Sequence, residues 1–102
     1  MGIDAYLEDE FGEELDLFID DGGILAAAIP VGDASYPMLR YVDLEGVTAF
    51  NRLQLAVVIP ELERLIAANE GMANTKNALS RVLKMARKAV SEPHLYLSLL
   101  GD

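Results

Sequence analysis

Apolar and polar positions change their period several times along this chain, and the changes divide it into elements. Ile3, Ala5 and Leu7 alternate with Asp4, Tyr6 and Glu8, the period of two expected of a half-buried strand. After an acidic, glycine-containing turn over residues 9–14, Leu15, Leu17 and Ile19 alternate with Asp16, Phe18 and Asp20. Asp20-Asp21-Gly22-Gly23 separates that run from Ile24–Ile29, and Asp-Gly between two apolar runs predicts a hairpin, hence two strands. Pro30, Gly32, Asp33 and Pro37 mark residues 30–37 as a loop. Met38–Asp43 then reads as a short strand, with Leu39 and Tyr41 opposed to Arg40 and Val42 and Gly46 closing it.

The stretch Asp43–Asn69 organises the rest, because it reads as one long helix with a locally encoded start. Asn51 suits the N-cap, Gln54 falls where a capping-box side chain reaches back, and Phe50 and Leu55 occupy the staple positions. Leu53, Ala56, Val57, Ile59, Leu62, Leu65 and Ile66 recur at three- and four-residue spacing, while Arg52, Glu61, Glu63, Arg64 and Asn69 form a polar side. Pro60 lacks the amide that a mid-helix position requires, which predicts a kink. In the competing reading Leu53–Ile59 is a buried strand and Pro60 opens a shorter helix.

Asn69-Glu70-Gly71 supplies a helix stop, and a second amphipathic helix follows over about Asn74 to Ser91. Leu79, Val82, Leu83, Ala86 and Val90 gather on one side, and Lys76, Arg81, Lys84, Arg87 and Lys88 on the other. Pro93 ends it, and His94–Leu100 is a final strand with Leu95, Leu97 and Leu99 on one face. The pattern predicts an α+β domain: a mainly antiparallel sheet of four to five strands, two helices on one face, and the last strand after the helical pair. Tyr6, Phe18, Tyr96 and several acids fall on the other face.

Three stretches carry a resemblance: Tyr36-Pro37-Met38-Leu39-Arg40-Tyr41-Val42-Asp43, then Gly46-Val47-Thr48-Ala49-Phe50-Asn51-Arg52-Leu53-Gln54, and His94-Leu95-Tyr96-Leu97 through Gly101-Asp102. Together they resemble a group of small bacterial proteins that share an aromatic-Pro-x-Leu strand, a Gly-x-Thr-x-Phe-Asn helix start and a closing Gly-Asp. The resemblance spans about half the chain, supports the element boundaries and implies no activity.

Composition narrows the picture. The 102 residues, 52% hydrophobic and 25% charged, suit one globular domain that buries about 65% of its unfolded surface. No cysteine is present, which removes disulfides, thiol nucleophiles and thiolate metal sites. The N-terminus reads as neither a signal peptide nor a myristoylation site, since Tyr6 stands where Ser or Thr is required, and the apolar runs are too short to span a bilayer. A cytoplasmic location is expected. The net charge of −9 is unevenly placed: residues 1–39 hold ten acids and no base, and residues 72–91 five bases and no acid. An acidic whole is repelled by nucleic acid and anionic membranes, so neither is an expected partner.

Candidate chemistry is sparse. Glu8, Asp9, Glu10, Glu13, Glu14 and Asp16 are abundant carboxylates without calcium-loop spacing, and no metal or cofactor is expected. His94 is the single histidine, and no nucleophile elbow, dinucleotide or phosphate-loop motif accompanies it. No enzyme motif is recognisable.

Two functional classes follow. The first is a protein-interaction module, immunity-like or antitoxin-like, whose acids Glu8, Asp9, Glu10, Glu13, Glu14 and Asp16 meet a basic protein partner. The second is a small-ligand binder or minor enzyme using a polar pocket of Arg40, Asp43, Asn51, Arg52 and Gln54 at the helix start. An exposed, carboxylate-rich concave surface favours the first, and a closed pocket with buried polar groups the second. A homo-oligomer is compatible with either.

Overall fold

In the computed structural model, which describes residues 2–102, the N-terminal period-two stretch is strand β1 (Ile3–Asp9), and β2 is Glu14–Phe18. Two elements absent from the sequence reading come next: a short helix α1 (Ile24–Ala28) and strand β3 (Val47–Phe50). Helices α2 (Arg52–Ala68) and α3 (Ala73–Ser91) precede the last strand, β4 (Leu95–Gly101). The sheet has four strands in the order β2-β1-β4-β3, and every neighbouring pair is antiparallel. The α+β architecture, the helices packed on the sheet and the closing strand after the helical pair agree with the sequence.

Ile3, Ala5, Leu7, Leu95, Leu97 and Leu99 point into the core, where they meet Leu55, Val58 and Leu62 of α2 and Leu79, Val82 and Ala86 of α3. Burying each leucine, isoleucine or valine among them contributes about 1.5–3 kcal/mol before entropy is counted. β1 and β4 occupy the centre of the sheet and supply most of its buried positions.

The Asp-Gly-Gly turn does not close a hairpin. Gly22 and Gly23 adopt left-handed backbone, with φ of 76° and 69°, but they steer the chain into α1 instead. The Asp20 carboxylate decides this. Its Oδ1 accepts from Leu25 N at 2.8 Å, and its Oδ2 accepts from Ala26 N and Ile3 N at 2.9 Å each. Amides that a strand would use are thus held in a helical first turn, and the Ala26–Ala28 run favours helix. Asp20 is only 7% exposed.

A second buried carboxylate explains why Met38–Asp43 is not a strand. Glu61, expected on the polar side of α2, is 2% exposed and accepts from Met38 N and Leu39 N, the latter at 3.0 Å. With those donors taken, Leu39–Tyr41 forms a 3-10 turn. Every buried side-chain oxygen and nitrogen among the described residues has a partner, so both carboxylates are satisfied internally and act as structural clamps.

Helix α2 begins as predicted: Gln54 N donates to Asn51 Oδ1 and Asn51 N donates to Gln54 Oε1, each at 2.9 Å. It continues through Pro60 without becoming a strand. Its buried face is rotated from the expected one, onto Leu55, Val58, Glu61, Leu62 and Leu65. Leu53 is 83% exposed and Val57 42%, so two residues expected on the buried side face outward. In α3 the predicted apolar side holds, with Val90 half-buried.

The residues that carried the family resemblance have structural roles. A side chain on Gly101 would strike the Leu44 backbone, so only glycine lets β4 pass there, and Gly101 N donates to Gly46 O at 2.8 Å. The Asp102 carboxylate accepts from Gly2 N at 2.7 Å, and Tyr36 lies under the Arg64 guanidinium, 4.3 Å from ring centroid to Cζ.

Candidate functional site

With helices covering one face of the sheet, the other face carries the alternate residues of each strand. Register arranges them in rows. Leu17, Tyr6, Ser98 and Ala49 cross the middle, Glu14, Glu8 and Tyr96 form a row on one side, and Asp4, Leu100 and Val47 a row on the other. Phe18, expected on this face, pairs with Ala5 instead and packs against the core. The register slips between Leu7, opposite Asp16, and Glu8, opposite Glu14, so Phe18 and Glu14, four positions apart, lie on opposite faces of the sheet.

Tyr6, Glu8, Gly12, Glu14, Val47, Ser98 and Leu100 line a shallow basin of about 310 Å³ on this face. Its floor is apolar and aromatic and its rim acidic. Directly opposed like charges on adjacent strands destabilise a sheet, and among the described residues neither Glu8 nor Glu14 forms an ion pair. The basin therefore carries two acidic residues with no ion-pair partner among the described residues.

The β1–β2 turn extends this acidic rim and presents one large apolar group. Asp9 Oδ1 accepts from Phe11 N and Glu13 N at 2.9 Å each, and Gly12, at φ 79°, donates to Asp9 O at 3.0 Å. Asp9 is thereby the turn's own fastening. Phe11, at the tip, is 87% exposed. Glu13 and Glu14 are exposed beside it, and Glu10 Oε2 lies 3.6 Å from His94 Nδ1. The sequence signal for Phe11 was a lone aromatic inside an acidic turn.

Asp16 departs from the other acids. Its two oxygens meet the Arg81 guanidinium, Nη1–Oδ2 at 2.9 Å and Nη2–Oδ1 at 2.8 Å. That hydrogen bonding holds its carboxyl below the usual range, with the Leu17 amide and the Arg81 charge adding to the effect and partial desolvation opposing it. The basic side of α3 is likewise mostly used internally: Lys76 pairs with Glu70, Arg87 with Glu63 and Lys88 with Glu92.

The residues of the helix-start pocket do not converge. Asn51 and Arg52 border a depression of about 160 Å³ with Leu53, His94, Leu95 and Tyr96, whereas Gln54 is engaged in the capping box. Asp43 caps its own turn by accepting from Glu45 N, while its amide donates to Thr48 Oγ1, and Arg40 Cζ stands 4.8 Å from the Tyr41 ring centroid. Among the described residues no three His, Asp or Glu side chains gather as a metal site requires, and no helix is long and apolar enough to cross a membrane.

No protein family, curated protein or solved structure matches the chain.

Proposed function

We propose that the protein is an interaction module whose open sheet face and β1–β2 turn bind a basic protein, in the manner of an immunity protein or antitoxin, in the cytoplasm. The Glu8–Glu14 juxtaposition carries this reading. A lysine or arginine from a partner that enters beside these two acids, which register sets opposite each other at the basin and which form no ion pair among the described residues, is attracted by both. Glu10, Glu13 and Glu14 extend the field that steers such a partner, and Phe11 supplies an aromatic anchor of the kind that concentrates binding energy. Asp9 and Asp16 contribute by holding the turn and strand β2 in place.

The test is affinity capture from the source cell with wild-type protein and with the Glu8, Glu10, Glu13 and Glu14 to Lys variant, followed by titration of the purified partner. The reading expects a basic protein held by the wild type and lost on charge reversal. A partner that is acidic, or that both forms hold equally, overturns it. A small-ligand function at residues 40–54 has less behind it, because Asn51, Gln54 and Asp43 each commit a side-chain oxygen to a local cap.

A further inference from the structure

The misplaced face of α2 is informative in its own right. Leu53, Ala56, Val57, Pro60, Arg64 and Ala67 stand at i, i+3, i+4, i+7, i+11 and i+14, the pattern of a single helix stripe, and all six are exposed. The stripe lies opposite the buried Leu55, Val58, Leu62 and Leu65, so α2 is apolar on two sides and only one is covered. Exposed Leu53 and Val57 alone set it apart from an ordinary solvated helix surface.

Charge identifies what covers it. The stripe contains no acid, although the chain carries a net charge of −9, so two copies can meet there without opposing carboxylates. Arg52 and Glu63 lie about three helical turns apart and hence on the same flank of the stripe. In an antiparallel pair of helices related by a two-fold axis, equal flanks face each other. An axis beside Val57 and Val58 leaves Arg52 and Glu63 each about 8 Å from it along the helix. Arg52 of each copy then stands level with Glu63 of the other, giving two ion pairs. Arg52 forms no ion pair among the described residues, and Glu63 meets Arg87 through Oε2, leaving Oε1 free to accept.

We infer that the exposed stripe of α2 is a two-fold dimer interface with a second copy of this chain: Val57 packs across the axis, Leu53 seats beside Pro60 of the other copy, and Arg52–Glu63 pairs fix the antiparallel direction. Ala56 is small enough for the helices to approach closely. The dimer uses the helix layer and leaves both open sheet faces free, so the inference stands independently of the partner-binding reading.

Sedimentation equilibrium from about 10 µM to about 1 mM tests it. The wild type is expected to reach twice the monomer mass, and Leu53→Asp and Val57→Asp to remain at the monomer mass with an unchanged circular dichroism spectrum. Arg52→Glu is expected to weaken association at least about tenfold, and Arg52→Glu with Glu63→Arg to recover it to within about threefold of wild type. A wild type that stays monomeric throughout, a dimer untouched by Leu53→Asp, or a double reversal no tighter than Arg52→Glu alone overturns the inference.

Discussion

Asp16 on the edge strand β2 and Arg81 on α3, 65 positions apart in sequence, are joined by two parallel hydrogen bonds of 2.8 and 2.9 Å. The pair ties the outermost strand to the helix layer. Both side chains keep more than a third of their exposure, 39% for Asp16 and 36% for Arg81, so solvent screening limits what the pair contributes. A double-mutant cycle with Asp16→Ala and Arg81→Ala, read by urea denaturation, should give a coupling energy of about 0.5–1 kcal/mol.

The same pair sets a pH dependence. Arg81 lowers the folded-state pKa of Asp16 below its unfolded value, so the stabilisation is present in full above about pH 4 and fades as the pH falls through the folded-state pKa. Urea midpoints of wild type and Asp16→Asn should therefore converge between neutral pH and about pH 3. A gap that widens on acidification would contradict the assignment.

Asp20 and Glu61 predict much larger effects. Asp20→Asn replaces one accepting oxygen by an amide NH2 group, a donor that faces backbone N–H donors, and it should destabilise by about 2–4 kcal/mol. Glu61→Gln should cost about 1–3 kcal/mol by the same logic at Met38 and Leu39. If either variant melts with the wild type, the carboxylates are not the clamps the geometry makes them.

Leu55 and Leu53 differ by two positions and lie on opposite sides of α2. Leu55→Ala should cost about 2–5 kcal/mol and Leu53→Ala less than about 0.5 in the monomer. Asn51→Ala, which removes half of the capping box, should cost about 1 kcal/mol. Chemical denaturation at low protein concentration measures all three.

These contrasts show where the sequence was legible. β1, the α2 cap, α3 and β4 are coded locally, by two-residue alternation, by Asn51 and Gln54, and by a single clean apolar side. The misread segments answer to distant residues: Asp20 captures amides of Ile3 and of α1, and Glu61 captures those of Met38 and Leu39, so the strand-like runs beside them never form ladders. Helix α2 misled because apolar residues line two of its sides, and periodicity does not say which is covered. Val47–Phe50 was absorbed into the helix stretch, although its Val, Thr and Phe favour a strand. The acidic cluster was visible as composition, but Asp16's capture by Arg81 and the Glu8–Glu14 opposition required register.

The association rate of the captured partner, measured by stopped flow for wild type and for the variant with Glu8, Glu10, Glu13 and Glu14 changed to Lys, tests the proposed function most directly. Steered association should slow steeply for the wild type as the Debye length shrinks from about 30 Å at low salt to about 8 Å at physiological salt. The quadruple variant, still folded by circular dichroism, should associate at least about tenfold more slowly at low salt. A variant that binds at the wild-type rate, with the same salt dependence, would contradict the acidic-surface account.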